Sequence, residues 1–185
     1  MILELAIILA GGAAAGYIVR RRRRAKAAKA AKPAPRRPED VRVGDALLYM
    51  GSDFVVTGEL ALDEEGALMR IFALTDGSKE RFLLVEPGQP GIRSLLDEAP
   101  GLEMPGNPPE TIPHHGASYR MRKRGIATAS SQGEVPRLGP GKYEYYRFAA
   151  AGRQVLLALR RESDTLMFTG EELMPGTLEI LPGGA

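Results

Sequence analysis

Glu110, His114 and His115 form a cluster of metal-ligating side chains that stand close together in the sequence. Adjacent residues of a β-strand point to opposite faces, so the two imidazoles reach one ion only if the chain turns between them. The chain has two histidines and therefore no third imidazole to complete a site. We expect these residues to be solvated in a loop and predict no metal and no other cofactor. The alternative is a small-ligand or enzymatic site near residues 87–117 that uses them.

Other motifs associated with catalysis are incomplete. Residues 139–142 (GPGK) lack the GxxxxGK[ST] spacing of a phosphate loop. Ser130 and Ser131 lie in no GxSxG elbow. The chain has no Cys, which excludes disulfides, cysteine nucleophiles and cysteine-ligated zinc or iron–sulfur clusters. The sequence therefore identifies no catalytic residue.

Two clusters could bind a partner protein. Tyr143, Tyr145 and Tyr146 lie on one predicted strand, so their rings point to both of its faces, and one face could be an interface. The second cluster is basic within an acidic region and could face an anionic leaflet or an acidic partner. It comprises Arg120, Arg122, Lys123 and Arg124. The alternatives are core packing for the tyrosines and, for the basic cluster, a solvated edge strand protected by its charge.

Residues 1–19 (MILELAIILAGGAAAGYIV) are apolar except for Glu4. At about 1.5 Å per residue in a helix, they span roughly 28 Å, close to the thickness of a bilayer core. A cleavable signal peptide carries its positive charge before the apolar run, whereas here five arginines follow it. We predict an uncleaved transmembrane helix; a buried helix of a soluble protein is the alternative.

Gly12 and Gly16 form a GxxxG pair in this predicted helix. Small residues at this spacing allow two transmembrane helices to approach closely. The pair predicts a homodimer through the helix, unless it reflects only an Ala- and Gly-rich composition.

Residues 20–38 are a basic juxtamembrane segment followed by a Pro-rich linker. Residues 1–38 have a net charge of +9, whereas residues 39–185 have −7. Basic flanking segments stay in the cytoplasm, so we predict that the N-terminus is outside and the remainder inside. No aromatic residue is interleaved for stacking on bases, so we expect anionic lipid headgroups and not nucleic acid as the partner. The predicted membrane-contact residues are Arg20, Arg21, Arg22, Arg23, Arg24, Lys26 and Lys29.

Residues 39–185 have the pattern of antiparallel β-strands. From Asp53 to Leu62 the chain largely alternates, which places Phe54, Val56, Leu60 and Leu62 on one face. Asp76-Gly77 predicts a type I′ hairpin turn. The other predicted strands cover residues 67–75, 79–86, 118–131, 142–148, 153–161 and 164–169.

Residues 87–117 interrupt this pattern with seven prolines and five glycines. A structureless loop of this length is unusual in a compact domain. We expect either a functional loop, with a short helix at residues 92–98, or a tether between two halves.

The two halves, residues 41–86 and 118–182, are similar to each other. Each has an aromatic strand, a glycine turn and an uninterrupted apolar strand, at residues 82–85 and 155–159. Such apolar runs need cover on both faces, and the first half is too small to bury a sufficient core alone. We therefore predict an all-β domain in which two similar antiparallel halves share one core, as a barrel or a sandwich.

The segments VRVGDALLYMGSDFVVTGEL, RFLLVEPG, RGIATAS, KYEYYRF and GEELMPGTLEILPG carry a resemblance. In this order they resemble the bacterial domain-of-unknown-function family four-one-seven-eight, and the similarity covers most of residues 41–183. The family has no established activity. The resemblance implies an all-β module that occurs in membrane-associated bacterial proteins, sometimes near genes for membrane maintenance.

Together these features predict a single-pass protein of the bacterial inner membrane. We expect its cytoplasmic β domain to be a non-enzymatic adaptor that binds a protein partner in membrane maintenance or envelope stress. Its candidate partner-binding residues are Tyr143, Tyr145, Arg122, Lys123 and Arg124.

Overall fold

The computed structural model describes residues 40–86 and 92–183. The predicted transmembrane helix with Gly12 and Gly16, the basic segment and the linker lie outside this part of the chain. Within it, no helix has the length and apolar content needed to cross a bilayer.

The described residues are mostly β-strand, which confirms the predicted all-β class. A 3-10 helix, Ala151–Arg153, precedes β9. The strands are β1 Ala46–Tyr49, β2 Ser52–Glu64, β3 Ala67–Thr75, β4 Glu80–Val85, β5 Arg93–Glu98, β6 Thr111–His114, β7 Ala117–Gly133, β8 Gly141–Ala149, β9 Gln154–Arg161, β10 Asp164–Glu172 and β11 Leu178–Leu181.

Eight of these strands close into an antiparallel barrel. Their order is β2, β3, β4, β5, β10, β9, β8 and β7, and β7 pairs back with β2 between residues 128–133 and 58–63. Every barrel strand contributes to one apolar cluster in the interior. Within it, Phe82 and Phe168 meet edge to face with their ring centroids 5.0 Å apart. Of the two architectures that the sequence predicts, the barrel is the one observed.

Two further apolar clusters cover parts of the outside of the barrel. The predicted need for cover on both faces is therefore met, because β4 and β9 are buried inside and outside. In the first outer cluster, β1 and β11 cover barrel residues; its main members are Leu47, Leu178 and Ile180 against Phe72, Leu83 and Leu95. In the second, the chain around β6 covers β8 to β10; its main members are Met104, Ile112 and Tyr119 against Phe148, Leu156 and Met167.

β2 contributes to two clusters because of a β-bulge. The register against β3 shifts between Val56 and Gly58, which leaves Thr57 as the extra residue. An extra residue reverses which side chains face inward. Phe54 and Val56 therefore lie in the first outer cluster, whereas residues 60 and 62 lie in the interior. Placing all four on one face was wrong for this reason.

The strands β1–β5 and β6–β10 form two five-strand repeats, and each repeat contributes its last four strands to the barrel. Each repeat starts with a short hairpin whose turn has positive φ at both central residues, Met50-Gly51 or His115-Gly116. A long bulged strand follows, with the second bulge between Met121 and Lys123 in β7. The two similar halves and the shared core are thus observed. Each predicted half lacks one strand, because the first repeat extends to β5 and the second begins at β6.

Residues 92–117 are not one long loop. β5 lies between β4 and β10 in the barrel, so the short helix expected at residues 92–98 was wrong. The turn at Asp76-Gly77 also differs from type I′. It is a four-residue loop in which Asp76 Oδ1 accepts hydrogen bonds from the N–H groups of Ser78 and Lys79 at 2.9 and 2.8 Å. The β2–β3 turn, in contrast, has positive φ at two successive residues, Glu65-Gly66, as the turns at Met50-Gly51 and His115-Gly116 do.

Candidate functional site

One end of the barrel, which we call the polar end, has charged side chains where the apolar lining stops. Strand side chains alternate, so the position two residues beyond an inward apolar residue again faces inward. Glu64 follows Leu62 in this way, and Glu86 follows Leu84. The polar end has five main polar residues, which line one cavity: Glu64, Glu86, Lys123, Tyr145 and Arg147.

The Glu64 carboxylate is the hub of a hydrogen-bonded triad. Lys123 Nζ and the Tyr145 hydroxyl both donate to Glu64 Oε2, at 2.6 and 2.7 Å. The Lys123 ammonium also lies 5.3 Å from the centre of the Tyr145 ring. The absence of a side chain at Gly125 leaves room for the carboxylate, because a Cβ there would overlap Glu64 Oε1 and the Tyr145 ring.

The pKa shifts in the triad favour the charged forms of Glu64 and Lys123. Hydrogen bonds from Lys123 and Tyr145 lower the pKa of Glu64, and the hydrogen bond to Glu64 raises the pKa of Lys123. Burial raises the pKa of Tyr145. A lysine nucleophile or base needs a lowered pKa, and a carboxylic general acid needs a raised one. Both shifts have the opposite sign, as expected for an ion pair.

A second pair, Glu86 and Arg147, lies deeper at the polar end. Arg147 Nη2 is 2.7 Å from Glu86 Oε2, and the two side chains are 17% and 13% exposed. Burial raises the pKa of Glu86, and the nearby Arg147 opposes this. Glu86 Oε2 is ion-paired with Arg147 but lies outside hydrogen-bond geometry, and among the described residues Arg147 Nε and the fully buried Ser94 Oγ have no hydrogen-bond partner. Buried polar groups of this kind are commonly satisfied by ordered water.

The cavity beside these groups is small. It offers about 20 Å³ to the centre of a water molecule, which is enough for roughly one water. At the opposite end of the barrel, Val135 and Leu138 belong to the interior cluster, and the Tyr143 hydroxyl donates to the Gly139 carbonyl at 2.9 Å. A cavity of about 210 Å³ opens at this opposite end and is lined by Tyr143 and Leu159 of the interior cluster together with Arg161. In the described part of the chain the interior is therefore filled at the polar end, whereas the opposite end has an open polar cavity.

An open edge of β7 lies on the outside. β6 pairs with residues 117–120 of β7 and β2 pairs with residues 128–133. The Met121 N–H donates to the Glu110 carbonyl, which is the last contact on the β6 side. Among the described residues, residues 122–127 therefore have no strand beside them on this edge. Six residues in a strand span about 20 Å.

Two residues of the open edge present backbone hydrogen-bonding groups. Just beyond β7, Glu134 N–H donates to the Thr57 carbonyl of β2, which shows that even-numbered residues here face this edge. Alternation then directs the N–H and C=O groups of Arg124 and Ile126 to the open edge. Their side chains lie on the outer face, across from Tyr146 and Glu144 of β8.

A groove runs along the same outer face, beside the second outer cluster, whose member Tyr146 lines it. It has a volume of about 710 Å³, and its other lining residues are Glu64, Glu65, Arg124, Gly125, Ile126 and Glu144. A second hollow of about 370 Å³ shares Ile126 with it and continues toward β9. The Ile126 side chain is 53% exposed, which is unusual for a large apolar residue in the middle of a strand. We call this region, the open edge together with the groove, the β7 face.

The predicted partner-binding residues separate into two groups. Tyr143 and Tyr145 are 2% and 3% exposed and lie in the barrel interior, so they are not the exposed rings that the sequence suggested. Arg122, Lys123 and Arg124 are exposed at the open edge. Lys123 is paired with Glu64, whereas no salt bridge joins the other two to a described residue. From the sequence, the basic cluster was expected either to face an anionic leaflet or an acidic partner or to lie on a solvated edge strand. Arg122, Lys123 and Arg124 lie on the open edge of β7.

Comparison with known proteins places the chain in a family. A family model described as Domain of unknown function (DUF4178) matches residues 42–175, more than half of the chain. The chain belongs to the DUF4178 family. No curated protein and no solved structure gives a match. The matched part of the DUF4178 domain includes all eight barrel strands and ends before β11.

The histidine cluster of the DUF4178 domain lies at the β6–β7 turn. His115 has a φ of 46° in that turn, and its ring centre is 4.0 Å from that of His114. The turn therefore brings the two imidazoles together, as the sequence argument required for a shared ion. Among the described residues, however, no group of three or more metal-ligating side chains is close enough to hold an ion. Burial and the neighbouring His115 lower the pKa of His114.

Sequence reasoning missed the main features of the two regions. No role in a site was predicted from the sequence for Glu64, Glu86 or Arg147. Ile126 lay within a predicted strand. Because it is two positions from Arg124, strand alternation already indicated that both side chains share a face.

Proposed function

We propose that this DUF4178 protein is a membrane-anchored, cytoplasmic protein-binding module, an adaptor in membrane maintenance or envelope stress. The observation that carries the binding role is the β7 face, where an unpaired strand edge, a groove and an exposed Ile126 coincide. Protein surfaces with exposed apolar residues rimmed by polar ones are typical interaction sites. The cavity at the polar end has room for roughly one water, which supports binding on the outside over binding of a small ligand at that end.

The anchoring role rests on the sequence. The apolar residues 1–19 and the arginines and lysines of residues 20–29 support a helix that ends at anionic lipid headgroups. Gly12 and Gly16 support a homodimer through that helix. The net charge of −7 on residues 39–185 supports a domain that is held near the membrane by its anchor and repelled from anionic lipid elsewhere.

Site-specific photocrosslinking in cells tests the binding role. A photoreactive amino acid replaces Ile126 in the full chain, and in a control it replaces Val55, which is 49% exposed in β2. We expect a discrete crosslinked protein from position 126 and none from position 55. If neither position gives a discrete product, the proposed binding role is wrong.

A further inference from the structure

We infer that the open edge of β7 binds an extended acidic segment of a partner protein by strand addition. This rests on the proposed protein-binding function and specifies the chemistry of the partner. The added strand would fill the gap that residues 122–127 leave between the chain at Glu110 and β2. Strand addition uses main-chain hydrogen bonds for affinity and side-chain contacts for specificity.

The main-chain part of the interaction is defined by Arg124 and Ile126. Their N–H and C=O groups face the gap, so an added strand gains up to four backbone hydrogen bonds. The two ends of the gap are fixed by Glu110 and by the Glu64-Glu65 turn, so about six residues of the partner fit between them.

The side-chain part selects acidic residues. Arg120, Arg122 and Arg124 are exposed, and no salt bridge joins them to a described residue. Three carboxylates also line the groove, but Glu64 is paired with Lys123 and Glu144 with Arg160, which leaves Glu65. The three arginines outnumber it on a domain whose net charge is −7 over residues 39–185, so this edge attracts acidic groups that the remaining surface repels. Charge on an edge strand discourages pairing with neutral or basic strands. The same charge favours an acidic one.

The register of the added strand follows from the outer face. A partner residue opposite Arg124 has its side chain beside the guanidinium, and one opposite Ile126 has its side chain in the groove. The two partner residues are two positions apart. The partner segment is therefore expected to have a Glu or Asp and an apolar residue separated by one residue.

The test uses the full chain in detergent and a blocked heptapeptide in which threonine alternates with two glutamates and one valine. In a matched peptide lysine replaces both glutamates, and in a third N-methyl groups remove alternate backbone donors. We expect the acidic peptide to bind at least tenfold more tightly than either control. It should also slow hydrogen exchange of the Arg124 and Ile126 amides in NMR spectra.

Three variants make the test specific. Ile126→Pro removes one N–H that faces the gap and leaves the β8 pairing intact, and Arg124→Glu reverses the charge. We expect each to weaken binding of the acidic peptide at least tenfold, and Arg124→Glu to bind the lysine peptide better than the acidic one. Arg153→Glu makes the same charge change at the 3-10 helix before β9 and should bind as the unchanged protein does. Circular dichroism of each variant shows that the barrel is intact.

Several outcomes would overturn the inference. These are no preference for the acidic peptide, binding without protection of the two amides, protection by anionic lipid vesicles alone, or protection that grows with protein concentration alone. The last two would assign the edge to a membrane or to a second copy of the chain. If the peptide experiments fail but position 126 still gives a crosslinked partner, strand addition is wrong and the proposed protein-binding role is retained.

Discussion

The Glu64 carboxylate lies directly over the α-carbon of Gly125, in the space that any other side chain would occupy. This contact joins the β2–β3 hairpin to β7 at the point where their pairing stops, because β2 pairs with β7 only up to Asp63. Glycine is required here because Glu64 and the Tyr145 ring approach its α-carbon closely. The backbone conformation is not the reason, because φ of Gly125 is not positive. The ion pair of Glu64 with Lys123 therefore depends on a missing side chain in a neighbouring strand.

Gly125→Ala should destabilise the domain by about 1–3 kcal/mol, the usual cost of overpacking. The added methyl group displaces Glu64 or the Tyr145 ring. Denaturant unfolding measures the change, and Gly106→Ala is the control, because a Cβ at position 106 meets no atom within 4 Å. If the triad is the cause, combining Gly125→Ala with Glu64→Ala should cost less than the sum of the two single changes.

Glu64 should contribute to stability at neutral pH and lose that contribution in acid. Its pKa is lowered in the folded protein, so the folded state gains stability above the unfolded pKa and loses it as the pH falls through the folded pKa. We expect Glu64→Gln to be less stable than the unchanged protein at pH 7 and to approach it in acid. Unfolding free energies measured from pH 7 down to about pH 3 check this. An unchanged difference across that range would mean that the charge of Glu64 has no role.

Glu86 should show the opposite pH dependence. Its pKa is raised by burial, so the unfolded state releases the proton first and the folded state loses stability as the pH rises through the folded pKa. Glu86→Gln removes this loss, so the variant should gain stability relative to the unchanged protein between about pH 4 and pH 7. The same series of unfolding measurements gives the comparison. A slope of the same sign as that of Glu64→Gln would contradict the raised pKa.

Labelling at position 130 should report on which side of the membrane the domain lies. Ser130 is exposed in β7, and the chain has no native Cys. We expect Ser130→Cys to resist a membrane-impermeant maleimide in intact cells and to react after lysis. Reaction in intact cells would place the domain outside the cytoplasm and would point to partners in the cell envelope.

The sequence predicted the parts of this fold that depend on local pattern. The apolar runs in β4 and β9 indicated strands covered on both faces, and the similarity of the halves indicated a shared core. The bulge at Thr57 was not predictable by counting alternate residues, since Phe54 and Leu60 have the same parity on either side of it. Residues 93–98 (RSLLDE) form a short segment whose only apolar residues are two adjacent leucines, so periodicity cannot separate strand from helix there.

The candidate site was less predictable because it arises from long-range pairing. The basic residues at 122–124 were visible in the sequence, but the gap beside them exists because β6 begins at Thr111, opposite Arg120, and the β2 pairing ends at Asp63. Neither limit has a local signal. Tyr143 and Tyr145 are buried because their face of β8 points into the barrel, and which face does so is likewise set by the pairing of distant strands.

The pairing of β2 with β7 has a consequence for how the chain folds as it is synthesised. The paired residues are 65 to 75 positions apart, whereas β2, β3 and β4 pair with immediate neighbours in the chain. The first repeat can therefore form its hairpins on the ribosome, but the apolar side chains of Leu60 and Ile71 stay uncovered until β7 has emerged. Such distant contacts fold slowly. The time between synthesis of the first repeat and synthesis of β7 is thus the period in which these apolar side chains are exposed on the nascent chain. Aggregation or binding by a chaperone would occur in this period.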